Sequence, residues 1–241
     1  MARRLFIADV HGHYSGLIEL IRLIDPAPDD AIFFLGDLID RGPDSARVVE
    51  FVMQAGYACL LGNHEDLMLK ALCGGRSVVS GRRWASNGGD ITLADYLDRH
   101  AGLLRSHLAW MQSLPTFIDL GDLFLVHAGV HPQVPLEKQC FEEFLWVREE
   151  HLYCRKPYFP DKLILHGHTP TLNLPGVEPG MLAAGPGWLN IDTGVCYPES
   201  GWLTGLDFDN KTVYQVNVFN QQSRTLKLEN AVVHIDAHAM V

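Results

Sequence analysis

The chain has 241 residues, 19 Lys+Arg against 29 Asp+Glu for a formal net charge of −10, and 47% apolar against 20% charged residues. These are the proportions of a globular protein, and they exclude disorder, collagen and coiled coil. The negative balance argues against coating nucleic acid or lying on an anionic membrane, since either needs a basic face.

At about 150 residues per domain the length allows one or two domains. With no linker and no internal repeat, a single domain over residues 1–241 is expected. Five scattered cysteines, Cys59, Cys73, Cys140, Cys154 and Cys196, form no C-x-x-C and read as free thiols of a reducing compartment. The first apolar run ends at Asp9, too early for the core of a signal peptide. No stretch reaches the roughly 18–20 apolar residues of a membrane span. A cytoplasmic protein is expected.

Leu5–Ala8 predicts a short buried strand, followed by a helix with Leu17, Leu20, Ile21 and Ile24 on one face and Pro26 as its stop. Ala31–Leu35 is a continuous apolar run, the pattern of a strand covered on both faces. A second helix carries Val48, Val49 and Val52 and ends at Gly56; Tyr57–Leu61 is the third strand, and another helix begins near Asp66. This βαβαβ order predicts a parallel sheet. Later strands are expected at Leu123–Val126, Leu163–Leu165 and Leu189–Ile191, with a hairpin of Leu203–Phe208 and Thr212–Val216 turning at Asp209-Asn210. The glycine-rich stretches Gly74–Asp90 and Thr169–Gly187 read as surface loops around the site, and residues 217–241 as an unassigned C-terminal extension.

Each of five strands ends in a polar motif. These are Asp9-Val10-His11-Gly12, Gly36-Asp37-Leu38-Ile39-Asp40-Arg41-Gly42, Gly62-Asn63-His64-Glu65, His127-Ala128-Gly129 and His166-Gly167-His168-Thr169. In an open α/β sheet the carboxyl ends of the strands converge on one crevice. The candidate ligand set is therefore Asp9, His11, Asp37, Asn63, His127 and His168. Carboxylate, imidazole and amide oxygen together suit Mn, Fe or Zn rather than a thiolate-seeking ion. Six ligands are too many for one open tetrahedral site. Two divalent ions sharing one carboxylate, best Asp37, would account for them, and such a pair can clamp a phosphoryl group and generate a hydroxide nucleophile.

As an ordered series, these motifs resemble the calcineurin-like metallophosphoesterases, and more narrowly their phosphoprotein phosphatase branch in its bacterial and phage form. With Ile191-Asp192-Thr193-Gly194 and Leu203-Thr204, the resemblance covers about 200 residues. It implies two mixed β-sheets packed as a sandwich, flanked by helices, with a dinuclear site at the strand ends. It also implies that Asp9, His11 and His168 hold one ion, that Asn63 and His127 hold the other, and that Asp37 bridges them; manganese is the expected metal, ahead of iron or zinc. His64 matches the family's general acid, Asp40 the carboxylate that orients it, and Arg41 and Arg148 the arginines that hold phosphate. These roles are chemically sound: imidazole can donate a proton near neutral pH, and guanidinium holds phosphate bidentately.

Many members of that family carry arginine directly before Gly-Asn-His-Glu, where this chain has Leu61. A phosphate anchor is therefore missing there, for which Arg76, Arg82 or Arg83 could compensate, although solvated loop charges are the simpler reading. Leu61-Gly62-Asn63-His64 also occurs in the symmetrical diadenosine tetraphosphatases, which usually continue with aspartate where Glu65 stands. His13, His131 and His166 lie near motifs, but loop or packing roles are simpler for them; His100, His107, His151, His234 and His238 read as surface or capping residues, and Trp84 as packing. The expected activity is phosphomonoester hydrolysis like that of protein serine/threonine phosphatases, acting on a phosphoprotein or small phosphate ester. The alternatives are a nucleotide hydrolase acting on diadenosine tetraphosphate and, least of all, a non-catalytic scaffold.

Overall fold

The computed structural model describes residues 2–74 and 77–236. Three short apolar strands, β1 (Arg4–Ile7), β2 (Ala31–Phe34) and β3 (Ala58–Cys59), pair in parallel. Helices α1 (Tyr14–Ile24) and α2 (Ser45–Gln54) make the crossovers, as the sequence predicts. Helix α3 (Asn63–Leu72) follows β3 directly. It begins at the Asn63 motif itself rather than near Asp66, because Glu65 at its third position turns back to accept the Gly62 N–H and caps the first turn.

The Gly74–Asp90 stretch is not a loop where it is described. It forms α4 (Val78–Trp84), a π-helical segment over Ala85–Gly89 and α5 (Asp90–Asp95). Ser77 accepts the Ser80 N–H at the start of α4, and Gly88 supplies a kink at φ 96°, so the glycines bend helix rather than abolish it. Beyond α6 (Leu104–Met111) the chain enters the second half of the fold, where α7 (Phe141–Trp146) and α8 (Glu149–Leu152) lie between strands.

The first sheet has the order Ser223–Lys227 (β11), Thr212–Asn217 (β10), Trp202–Asp207 (β9), β1, β2, β3. The second runs Val232–His234 (β12), Leu182–Gly185 (β7), Trp188–Asn190 (β8), Leu163–His166 (β6), Leu123–Val126 (β5), Phe117–Asp119 (β4). The expected hairpin is β9–β10, antiparallel with Thr212 opposite Asp207. The C-terminal stretch is no appendage, since β11 edges the first sheet and β12 pairs in parallel with β7 in the second.

Alternation along the strands builds three apolar layers. In β1, Phe6 turns to the layer shared with Leu125, Leu165 and Leu189 of the other sheet, while Leu5 and Ile7 meet Leu17, Leu20 and Val48 of the helices. In β5, Leu123 and Leu125 face the sandwich interior, and Phe124 and Val126 pack outward with Phe144 and Leu152. Each such fully buried side chain contributes about 1.5–3 kcal/mol by leaving water, so both sheet faces are held. Among the described residues no helix is long and apolar enough to cross a membrane.

Candidate metal centre

Five strand ends deliver the expected ligands to one buried spot. Asp9 and His11 follow β1, Asp37 follows β2, Asn63 opens α3 after β3, His127 follows β5 and His168 follows β6; all six are buried. The backbone there is left-handed at His11, Asp37, Asp40, Arg41 and His168, with φ between 46° and 71°. Non-glycine residues adopt that region at a cost, and they gather where surrounding structure forces them for function. Two glycines provide space instead: a Cβ on Gly62 would stand 2.2 Å from Asp37 Oδ1, and one on Gly167 2.2 Å from Asp9 Oδ1.

Ligand atoms of His11, Asp37 and His64 lie within 4.8 Å of one another, as do those of Asp37, His127 and His168, so Asp37 belongs to both sets. Asn63 Oδ1 lies 2.9 Å from His127 Nε2 and 2.7 Å from His168 Nδ1. The His168 ring sits with Asn63 and His127 and its backbone N–H donates to Asp9 at 3.2 Å, an arrangement different from the expected grouping of His168 with Asp9 and His11. The sequence could not show this, since it depends on how β6 lies across from α3.

The donor chemistry fits divalent ions. The Nδ1–H groups of His11 and His127 donate to the carbonyls of Ile39 and Leu35, both at 2.8 Å, which turns each Nε2 toward the site. His127 Nε2 faces Asn63 Oδ1 and, at 3.4 Å, Asp37 Oδ1, two atoms that only accept. Such a set requires positive charge, supplied either by a second proton on His127 or by a cation. His168 Nε2 is buried with no hydrogen-bond partner.

Electrostatics agree. Burial alone would raise the Asp37 carboxyl, but His127, His64 and His11 hold it well below the usual range. Against its own burial, His127 is pushed up to about 9 by Asp37. Burial and then the neighbouring carboxylates Asp192 and Asp37 push Asp9 well up, while burial and then Arg41 push His11 well down. Crowded carboxylates that hold a proton on the buried His127 make a site that gains by taking up metal cations in place of that proton.

Beside this set, His64 Nδ1 lies 2.6 Å from Asp40 Oδ2. Asp40 is in turn held by Trp84 Nε1 at 3.0 Å and Thr92 Oγ1 at 2.8 Å. Trp84 is therefore more than packing. Arg41 donates to His11 Nε2 and His64 Nε2, each at 2.9 Å, and Arg148 donates to Thr169 Oγ1 at 2.9 Å beside His168. The two expected phosphate anchors thus approach from the His11–His64 side and the His168 side.

The sequence reading missed Glu65, whose carboxylate accepts the N–H groups of Asp37, Leu38, Ile39 and Gly62 at 2.8–3.3 Å. Its position next to the Asn63-His64 pair was the available signal. Leu61 is 5% exposed and its N–H donates to Pro115, so it is covered rather than an open wall of the cleft. Of the compensating arginines, Arg83 stacks over Trp146 at 4.7 Å, and Trp146 meets the His168 ring edge-on at 6.0 Å. Arg82 is exposed, and Arg76 lies outside the described residues, as does His238. His107 and His151, expected at the surface, are buried: His107 bonds Tyr96 and Glu50, and His151 packs against His166 and Trp188. His131 keeps a loop role, accepting the Gln133 N–H.

The family model for calcineurin-like phosphoesterases matches residues 2–196. The chain is 37% identical over 130 residues to a symmetrical bis(5'-nucleosyl)-tetraphosphatase of Methylococcus capsulatus, a match covering 52% of this chain and 42% of that protein. It is 28% identical over 172 residues to serine/threonine-protein phosphatase 1 of Salmonella typhimurium, covering 68% and 77%. The chain thus spans less than half of the first relative and most of the second. Among solved structures, a candidate diadenosine tetraphosphatase superposes with a TM-score of 0.67 at 22% identity, over 91% of this chain and 95% of that one. A serine/threonine phosphatase from Saccharomyces cerevisiae superposes at 0.56 and 17% identity, over 98% and 82%. At these identities the superpositions speak for the fold.

Proposed function

The chain belongs to the calcineurin-like phosphoesterase family and is a phosphoester hydrolase; from that premise we propose that it works with two divalent ions and acts on dinucleoside polyphosphates. The observation that carries the metal reading is the place of Asp37 in two buried clusters, His11–Asp37–His64 and Asp37–His127–His168; the family resemblance puts Asp9, whose Oδ2 lies 3.9 Å from His11 Nε2, on the first ion and leaves His64 as proton donor. Asp9, His11 and Asp37 would hold one ion; Asp37, Asn63, His127 and His168 would hold the other. Bound there, the ions would polarise phosphoryl oxygens and activate water, with manganese the expected metal.

The chain's own residues do the rest. Arg41 and Arg148 exchange their present contacts with His11, His64 and Thr169 for phosphate oxygens, and their fixed forks set the phosphoryl group between them. Asp40 accepts from His64 Nδ1, which turns Nε2 toward the reacting group. In its imidazolium form His64 hands the Nε2 proton to the departing oxygen. Trp84 and Thr92 fix Asp40, and so fix the line along which that proton travels.

The similarity to symmetrical tetraphosphatases supports the substrate class, together with the Leu61-Gly62-Asn63-His64 run that also occurs in them. Protein serine/threonine phosphatase activity is the second reading, favoured by the relative whose length is matched most fully of the two. The test is turnover of diadenosine tetraphosphate and a phosphoserine peptide by protein stripped of metal and reloaded with Mn, Fe or Zn. Chelation should abolish both activities, two equivalents of metal should restore them, and kcat/KM should favour the dinucleotide at least tenfold. A reversed ratio selects the second reading; full activity without metal overturns the metal centre.

A further inference from the structure

Resting on the substrate class proposed above, we infer that the cavity beside Arg41 receives the nucleoside of the departing half of the substrate. The cavity has a volume of about 460 Å³ and is bounded by Arg41, His13, Ser86, Asn87, Tyr197 and Phe219. Its place identifies its role. A group that leaves must lie on the side from which its proton comes, and Arg41 links the cavity to that donor through its 2.9 Å contact with His64 Nε2. Phosphates of a departing nucleotide would pass Arg41, the lining residue with a permanent charge, and the nucleoside would come to rest beyond it.

The walls suit a flat heteroaromatic ring. Phe219 is 53% exposed although large and apolar, and the His13 ring meets it edge-on at 6.0 Å. An exposed phenyl held by a second ring is a stacking surface. The polar wall is selective as well. Asn87 Nδ2 and Ser86 Oγ both donate to the Arg83 carbonyl, at 2.8 and 2.9 Å, which leaves Asn87 Oδ1 and the hydroxyl lone pairs to accept. Acceptors facing a stacked base call for an exocyclic amino group, as on adenine. Tyr197 and Phe219 lie beyond the residues matched by the family model, so the apolar wall of the cavity is added to a polar wall that lies within the matched residues.

The experiment compares wild type with Phe219→Ala and Phe219→Trp on diadenosine tetraphosphate and on glycerol phosphate, which has no base. It adds calorimetric titration of the metal-free proteins with adenosine. Loss of one base stack corresponds to about 5- to 150-fold, so Phe219→Ala should lose that much in kcat/KM on the dinucleotide and less than twofold on glycerol phosphate. Phe219→Trp should restore the loss, and adenosine should bind wild type and Phe219→Trp but not Phe219→Ala. Equal losses on both substrates, or hydrolysis of the dinucleotide undisturbed by Phe219→Ala, overturns the assignment while leaving the substrate class standing. A wild-type protein that cleaves phosphoserine peptide but not the dinucleotide overturns the substrate class, and failure to bind adenosine then removes the cavity assignment with it.

Discussion

Asp37 does three things at once: it belongs to both ligand sets, accepts the His64 N–H at 3.0 Å, and sits at a left-handed φ of 52°. Asp37→Asn should therefore leave less than one equivalent of bound metal by elemental analysis, whereas Asp9→Asn should retain close to one. Equal retention in the two variants would show that Asp37 is not shared. His64 calls for a different measurement. A proton donor matters where the leaving group is poor, so His64→Asn should slow alkyl phosphate hydrolysis by about 10²–10⁴-fold. Hydrolysis of p-nitrophenyl phosphate should fall much less, because nitrophenolate leaves unaided. The same loss on both substrates would assign His64 to charge stabilisation or metal placement instead.

Helix α3 serves the site through its first turn as much as through its ligand. Asn63 is presented to the imidazoles, His64 to Asp40, and Glu65 gathers four backbone N–H groups from two strand ends. Burial raises the Glu65 carboxyl to about 7, yet those donors reward the charged acceptor. Replacement by glutamine points an NH2 at backbone N–H groups and loosens the loop that positions Asp37. Loss of such a supporting contact typically costs about 10–100-fold in metal affinity. Glu65→Gln should show a loss of that size by metal titration, with the His64 leaving-group preference unchanged. Helix α4 acts in the same indirect way, bringing Trp84 to Asp40 and Arg83 over Trp146.

At the scale of the whole molecule, the second sheet buries a histidine pair behind the ligand-bearing strand ends. His151 and His166 meet edge-on at 4.8 Å beside Trp188, and His151 is pushed down to about 4 by burial. In the unfolded chain the same ring takes its proton near 6.5. Between those values the unfolded chain binds more protons than the native one, so stability is full above pH 6.5 and declines as pH falls toward 4. The linkage amounts to about 3 kcal/mol for this one ring. His151→Phe should flatten that part of the profile, read as urea midpoints between pH 7.5 and 4.5. An unchanged slope would place the acid sensitivity elsewhere.

The order of apolar runs and the residues at their ends were enough to specify the βαβαβ core and the six candidate ligands, whereas the His64, Asp40, Arg41 and Arg148 set followed from the resemblance to calcineurin-like metallophosphoesterases. Strand periodicity and glycine placement are local properties, and convergence at one sheet edge follows from them. Several features were decided only by tertiary structure. Asn63 and His168 meet across the two sheets, 105 positions apart in sequence. Glu65 is defined by backbone donors from 26 to 28 residues away. Trp84 reaches Asp40 because α4 is helical, which Gly81 and the glycines flanking the helix concealed. The left-handed backbone at His11, Asp37, Asp40, Arg41 and His168 could not be placed from the sequence, since Asp and His enter that region more readily than most residues yet do so at only a small fraction of their positions. Packing between the sheets holds them there, and that packing is a property of the folded whole rather than of any segment within it.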